Sequence, residues 1–200
     1  MKYLITLSTL FVIGSVIGYI IEVFYRRLVT RKKWTNPGLM IGPYLPIYGF
    51  GTIILYQISS IDFSRLNVPK PFELMVVALT FLVLLSVLEL VSGYIIFKAF
   101  NLRLWDYSNN KFNYKGLICA RYSIYWMLVG ITYYFALHPL FTFLTNLTQN
   151  SFLFQIVIFM FLALIIVDAL NKFKFDKKVL KFATLMNKEV SNIIAYYNFK

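Results

Sequence analysis

The chain has 200 residues, of which 60% are hydrophobic and 14% are charged, whereas a soluble domain is about 45–50% apolar and about 25% charged. One soluble core of this size cannot bury so much apolar surface, so the composition excludes the ordinary soluble, disordered and fibrous classes and indicates an integral membrane protein. The net charge of +12 is typical of a membrane chain whose basic residues set topology or contact anionic membrane lipid. No nucleic-acid partner is expected.

Rare residue types and missing motifs exclude several kinds of chemistry. A single cysteine, Cys119, and a single histidine, His138, allow no disulfide framework and no zinc or haem ligand set. The sequence contains no G-x-x-x-x-G-K-[ST] phosphate-binding loop, so we do not expect the chain to hydrolyse a nucleotide by that route. We predict no metal site and no cofactor.

Hydropathy predicts an all-α fold, a bundle of about five transmembrane helices that are each about 20 mainly apolar residues long. Residues 1–171 form the predicted transmembrane domain, and residues 172–200 form a basic cytoplasmic tail. Apolar residues recur in the tail mostly at steps of three or four, which predicts an amphipathic helix that lies on headgroups or docks on a partner. The predicted spans are 3–25, 39–58, 72–97, 117–137 and 152–170, the fourth ending before His138 and Pro139.

The 20 basic residues predict the orientation of these spans. Seventeen of them lie after the first span, around the loop between the third and fourth spans, or after the fifth span. Only Lys2, Arg65 and Lys70 remain for the opposite side. Because cytoplasmic loops retain Lys and Arg, this asymmetry predicts a multi-pass protein of the cell membrane with its N-terminus outside and its C-terminus in the cytoplasm.

Glu89 is the ionisable residue that lies deepest in a predicted span. The next basic residue, Lys98, is nine residues further on, and nine residues of helix cover roughly 13 Å, too far for the carboxylate to reach the surface. Ser86, Glu89 and Gly93 share one helical face, which we expect to pack on other helices. The carboxyl group either bonds to a neighbouring backbone or hydroxyl group, or it binds a proton, a cation or a substrate.

Glu22 has two interpretations. Arg26 follows one turn later, which favours an interfacial i, i+4 ion pair. Gly14 and Gly18 form a G-x-x-x-G strip that continues to Glu22, which favours a close-packed helix that turns the carboxylate toward protein. Asp168, by contrast, is expected only to pair with the lysines that follow it at the interface.

Three prolines and four glycines lie between residues 37 and 51, in the first part of the second predicted span and just before it. Each proline removes a backbone donor, so we do not expect an uninterrupted helix. Non-helical backbone at membrane depth is stable only when it is buried in protein or lines a wet cavity, and broken helices of this kind frame binding sites in transporters. A bent entry from the interface, without a ligand, is the alternative.

The loop between the third and fourth spans contains an aromatic anchor, an acid, a phenol and a hydroxyl at residues 105–108. The bare pattern is a good turn sequence, but the predicted topology places it in the same cytoplasmic half as the acids of spans one and three. We predict that these groups converge on one polar pocket open to the cytoplasm. The predicted pocket residues are Glu22, Trp34, Asn36, Gly42, Pro43, Tyr48, Glu89, Trp105, Asp106, Tyr107, Ser108 and Asn113, and the predicted helix-packing residues are Gly14, Gly18 and Gly93.

Three separated motifs match a known family in the same order along the chain. The matching stretches are Glu22 with its trailing basic residues, 34–38, Gly42-Pro43, 46–49, Glu89 with Gly93, 104–108, Phe112-Asn113, Gly116 and Ile118-Cys119. They resemble the CmpB-type family of bacterial membrane proteins, which is described as a family of ABC-transporter permeases. The chain departs from the family pattern at Lys111, where proline is usual, and at Ala120, where leucine is usual. The resemblance covers about residues 22–125 and implies a membrane location and, less directly, transport.

Three functions stay open at this stage. The first is a permease-like component of an ABC-type transporter, with the ATPase on another chain; five spans are few for a complete pathway, so we expect a homo-oligomer or a partner membrane subunit. The alternative is a membrane-embedded enzyme that acts on a lipid or lipid-linked substrate at the cytoplasmic leaflet, with Glu22, Glu89 or Asp106 as acid or base. No nucleophile–base pair is visible, which makes an enzyme the less favoured interpretation. The third is a non-catalytic assembly or regulatory subunit in which the acids hold helices together.

Overall fold

The long apolar segments of the sequence form helices in the computed structural model, which describes residues 1–30, 36–63 and 69–174. Four helices in this part of the chain are long and apolar enough to cross a membrane, so the chain is a multi-pass helical membrane protein. The predicted amphipathic tail falls almost wholly on residues outside the described part. The helices are α1 (Lys2–Tyr25, followed by a π-helical turn at Arg26–Thr30), α2 (Pro46–Ser59), α3 (Lys70–Phe100), α4 (Ala120–Thr132), α5 (His138–Asn150) and α6 (Phe152–Lys174).

The second predicted span is helical only in its second part. Residues 36–45 are not helical, and α2 begins at Pro46, where a proline is tolerated because the first turn of a helix needs no backbone donor. The 14 residues of α2 cover about 21 Å at 1.5 Å per residue, less than the roughly 30 Å of a hydrocarbon core. The count of five membrane-spanning helices is therefore not confirmed.

The sequence predicted that the fourth span ends before His138, and this prediction is wrong. A π-helical turn at Tyr133–Leu137 joins α4 to α5, and the helical run continues from Ala120 to Asn150. The amide of His138 donates to the carbonyl of Tyr133 in the wide hydrogen-bond pattern of the turn. Pro139 then lies in the first turn of α5, where its missing donor costs nothing.

Two apolar clusters join the helices. The larger cluster connects α1, α2, α3 and the α4–α5 helix through residues such as Leu10, Phe81 and Tyr133. The smaller cluster, Val12, Tyr44, Ile158 and Ile165, connects α1, the segment before α2, and α6. Because α6 buries so few of its residues, it lies at the edge of the bundle.

Glycines allow α1 and α2 to pack closely as antiparallel helices. A Cβ atom added at Gly18 would overlap the side chain of Tyr48, and one added at Gly14 would overlap Thr52. At one end of the pair, the amide of Gln57 donates to the hydroxyl of Tyr3 over 3.0 Å. The end of α2 therefore lies beside the start of α1.

The segment between α3 and α4, residues 101–119, is a folded structure, which we call the α3–α4 loop. It contains two short antiparallel strands, β1 (Asn113–Tyr114) and β2 (Ile118–Cys119), with Asn113 opposite Cys119. The loop lies at the end of α3 that is nearer to Glu89. It therefore covers this end of the helix bundle.

Candidate functional site

Tyrosine hydroxyl groups pair with the carboxylates of the helices. Each of the four pairs joins two different elements, so that a phenol from one part of the bundle satisfies an acid from another. The bonds run from Tyr48 to Glu22 (3.0 Å), from Tyr134 to Glu73 (2.9 Å), from Tyr107 to Glu89 (2.8 Å) and from Tyr44 to Asp168 (2.7 Å).

Glu89 is the most deeply buried of these acids, with 3% of its surface exposed. Its Oε1 atom accepts the hydrogen bond from Tyr107, and its Oε2 atom has no hydrogen-bond partner among the described residues. The indole nitrogen of Trp126 on α4 lies beside the carboxylate but does not reach hydrogen-bond geometry. Both neighbours are neutral donors.

Glu22 lies on the other side of the same group of aromatic rings. It forms an ion pair with Arg26 at 2.9 Å, and its second oxygen accepts the hydrogen bond from Tyr48. The ring of Tyr48 contacts that of Trp126 at a centroid distance of 6.1 Å. We call Glu22, Tyr48, Glu89, Tyr107 and Trp126 the carboxylate–aromatic cluster.

The α3–α4 loop holds Tyr107 in place over Glu89. The indole of Trp105 donates to the carbonyl of Leu117 over 2.8 Å and packs on Gly93, where an added Cβ would lie 3.0 Å from the Trp105 ring. The ring of Tyr107 stacks on that of Tyr122 at a centroid distance of 4.3 Å. Burial raises the pKa of the Tyr107 phenol, and the Glu89 carboxylate raises it further, so the phenol stays a hydrogen-bond donor.

Asp106, Ser108 and Asn113 do not join the cluster. The Asp106 carboxylate accepts hydrogen bonds from the amide and the hydroxyl of Ser108 and pairs with Arg103 at 3.3 Å. These hydrogen bonds from Ser108, with the nearby Arg103 guanidinium, lower the pKa of Asp106. The side chain of Asp106 is 53% exposed, so these contacts shape the loop and do not line an enclosed site.

Asn113 and Gly116 fix the turn that closes the same loop. The Asn113 amide donates to the carbonyls of Asn110 (2.8 Å) and Ser108 (3.2 Å), and its oxygen accepts from the amide of Gly116. Gly116 has a φ of +70°, and a Cβ there would lie 2.6 Å from the Asp106 carboxylate. Only glycine fits this position without strain.

The segment before α2 forms a second polar site. Asn36 stabilises a turn, accepting from the amide of Gly38 and donating to the carbonyl of Met40, both over 2.9 Å. Asp168 on α6 accepts three hydrogen bonds at one oxygen, from the amides of Ile41 (3.0 Å) and Gly42 (3.1 Å) and from the Tyr44 hydroxyl. Pro43 lies within this clamped segment, and Trp34 lies outside the described residues.

Sequence reasoning missed the role of Asp168 and the two aromatic residues that α4 contributes. The lysines after Asp168 suggested an interfacial pair, and the charge of Lys172 does act on Asp168. The additional signal was the non-helical Gly-Pro segment, whose backbone amides have no helical partner and need an acceptor nearby. Tyr122 and Trp126 lie one turn apart, and both combine an aromatic body with a polar tip. That pattern was the available signal for a helix face turned toward buried polar groups.

The fold and the buried acids thus define a multi-pass helical membrane protein with polar groups inside its bundle. A family model described as "Putative ABC-transporter type IV" matches residues 9–173. The chain belongs to this family, which agrees with the resemblance of its motifs. Comparison with curated proteins and with solved structures gives no match. The family and the apolar helices together fit a membrane transport component.

Proposed function

We propose that the chain is the membrane component of a transporter and that a small solute or ion interacts with the carboxylate–aromatic cluster during transport. The observation that carries this proposal is the burial of Glu89 in a helix bundle without a cationic partner among the described residues. A charged side chain at the centre of a bilayer costs about 2.5–3.5 kcal/mol on translocon-type scales. Such a cost is typical of a residue that serves a function.

The broken span supports the same function. The non-helical segment 36–45 contacts α1 and α6 through Tyr44 and leads into the first turn of α2, where Tyr48 bonds to Glu22. Irregular backbone of this kind is found where transporters bind their substrates. In the conformation described, the α3–α4 loop covers Glu89, so the proposed pocket opens to the cytoplasm only when this loop moves. The sequence has no nucleotide-binding loop of its own, so an ATPase subunit on another chain would supply the energy.

The proposed topology has five passes, with the N-terminus outside and the C-terminus in the cytoplasm. The bond between Gln57 and Tyr3 supports a return of the chain to the side where α1 begins. A membrane-impermeant maleimide applied to intact cells should label Lys2→Cys, whereas Asn110→Cys should react only after permeabilisation. The unsubstituted chain is the control, since Cys119 is only 1% exposed. Labelling of both variants from the same side would contradict this topology.

A second candidate function is a non-catalytic assembly subunit. The four tyrosine–carboxylate bonds favour it, because each bond joins two elements and would by itself account for the acid. The two functions differ in what the loss of the Glu89 charge changes. An assembly role requires the folded protein to become scarcer, whereas a transport role requires activity to fall while the protein stays abundant.

Glu89→Gln separates these functions in a strain in which loss of the protein has a phenotype. The amide oxygen of glutamine still accepts from Tyr107, so we expect normal abundance. Activity should fall about tenfold or more, since one charge-assisted hydrogen bond is worth about 1.5–3 kcal/mol. Glu73→Gln is the matched control, because Glu73 lies on the same helix but pairs with Lys70 and Tyr134 near its other end. Full activity of both variants would reject the cluster as the transport site.

A further inference from the structure

Glu89 differs in its charge environment from the acids that form ion pairs among the described residues. Glu22 pairs with Arg26, Glu73 with Lys70 and Asp106 with Arg103, and the side chains of these three acids are 22%, 10% and 53% exposed. Glu89 is buried more deeply than any of these three acids, and none of the described basic side chains forms an ion pair with it. A buried carboxylate without a counter-charge is costly, so it is neutralised by a proton or by a bound cation.

We propose that Glu89 is a proton-exchange site, at which the carboxylate takes a proton from water on the side of the α3–α4 loop and returns it there. The reaction forms one O–H bond on the carboxyl group and breaks one in hydronium or water, and no other group is consumed. This inference rests on the proposed function and deepens it, because it makes the proton the ion that the cluster handles.

The groups around Glu89 favour a proton over a metal cation. A hard cation needs several oxygen ligands, but the side chains that interact with the Glu89 carboxylate are the Tyr107 hydroxyl, which donates to it, and the Trp126 indole, which is a donor only. A donor N–H next to the free oxygen repels a cation. A protonated carboxyl group keeps a carbonyl oxygen that can still accept from either donor.

Titratable groups face this site from every element that packs around it. The phenol of Tyr107 comes from the α3–α4 loop, that of Tyr122 from α4 and that of Tyr48 from α2. Behind Tyr48, Glu22 and Arg26 pair with each other. The Cys119 thiol lies near Tyr107 at the start of α4. Arg26 is the cationic residue among these groups, and it already forms an ion pair with Glu22.

Tyr107 is a positioning residue that controls access to the proton site. Its ring covers Glu89 and is held between Tyr122 and the folded loop, whose amide at Tyr107 bonds to the carbonyl of Gly116 over 2.9 Å. Water reaches the carboxyl group only when this ring moves. Tyr107→Phe keeps the ring and removes the donor. Since the lost hydrogen bond favours the charged carboxylate, we expect the variant to hold its proton to a higher pH.

Carbodiimide labelling of the full chain in lipid nanodiscs tests the proposal. Dicyclohexylcarbodiimide is apolar and reacts with protonated carboxyl groups in apolar surroundings, and mass spectrometry locates the stable adduct. We expect an adduct on Glu89 that decreases as pH rises and is absent in Glu89→Gln. The pH at which adduct formation falls to half should be higher in Tyr107→Phe, an effect that a purely structural role of the phenol would not produce.

Two results would overturn the proposal. One is the absence of any pH-dependent adduct on Glu89 while another carboxyl group of the chain reacts. The other is suppression of the adduct by Na⁺ or K⁺ at constant pH, which would show a metal-cation site. The labelling does not measure transport, so the two hypotheses can fail separately. A pH-dependent adduct on Glu89 combined with full activity of Glu89→Gln would reject the proposed transport site and keep the proton site.

Discussion

Gly18→Ala should destabilise the protein by about 1–3 kcal/mol, the usual cost of overpacking a close contact. The new Cβ atom would overlap the Cβ and Cγ atoms of Tyr48. These atoms are fixed close to the α2 backbone, so the two helices must separate. The same movement would draw the Tyr48 hydroxyl away from Glu22, which adds the loss of one hydrogen bond. Thermal unfolding in detergent, followed by intrinsic fluorescence, measures the shift.

Gly51→Ala is the matched control for this prediction. Gly51 lies on α2 as well, but a Cβ atom there would meet only Leu88 at 3.7 Å and Leu85 at 3.9 Å, which are ordinary contacts. Replacing a helical glycine by alanine stabilises a helix by about 0.5–1 kcal/mol. We therefore expect the control to unfold at the same temperature or slightly higher. If Gly18→Ala and Gly51→Ala unfold at the same temperature, the close packing of α1 on α2 is wrong.

Asp168→Ala should have the second large effect, because it leaves the amides of Ile41 and Gly42 and the hydroxyl of Tyr44 without their common acceptor. Loss of a partner from a buried donor costs about 1–3 kcal/mol, and less where water replaces it. We expect a total loss of about 2–3 kcal/mol, with the effect concentrated in segment 36–45 and α6. Hydrogen exchange at the amides of Ile41 and Gly42 should accelerate strongly.

Two further variants make this result specific. Asp168→Asn keeps an acceptor oxygen but loses the charge, so its exchange rates should fall between those of the natural chain and Asp168→Ala. Asp106→Ala removes an acid that also accepts three hydrogen bonds, but on the α3–α4 loop, and it should leave exchange at Gly42 unchanged. Equal hydrogen-exchange rates at Ile41 and Gly42 in Asp168→Ala and in the natural chain would show that the hydrogen bonds to Asp168 contribute nothing to stability.

Local sequence patterns predicted the membrane class and the burial of Glu89. Both depend on the length of an apolar segment, which can be read directly from the chain. The prolines and glycines of the second span also predicted that its helix would be broken. They could not predict that the helix begins at Pro46, because a proline inside a span and a proline at the first turn of a helix look alike in sequence.

The contacts between distant segments could not be predicted in this way. Asp168 and Gly42 are separated by 126 positions, and no periodicity connects them. Tyr107 was included among the predicted site residues with Asp106 and Ser108, yet the fold turns Tyr107 toward Glu89 and leaves the other two in the exposed part of the loop. The π-helical turn before His138 is another feature that the sequence did not predict; it begins at Tyr133, a buried residue.

The tyrosine–carboxylate hydrogen bonds that connect the elements of this bundle affect how it responds to a change in pH. A lysine–carboxylate link is lost when the acid becomes neutral, because the attraction needs both charges. A phenol that donates to a carboxylate can still donate, in a weaker bond, to the carbonyl oxygen of the neutral acid. The contacts of Glu22, Glu89 and Asp168 with neighbouring elements each include such a phenol. These carboxyl groups can therefore gain and lose protons while a hydrogen bond still connects the elements.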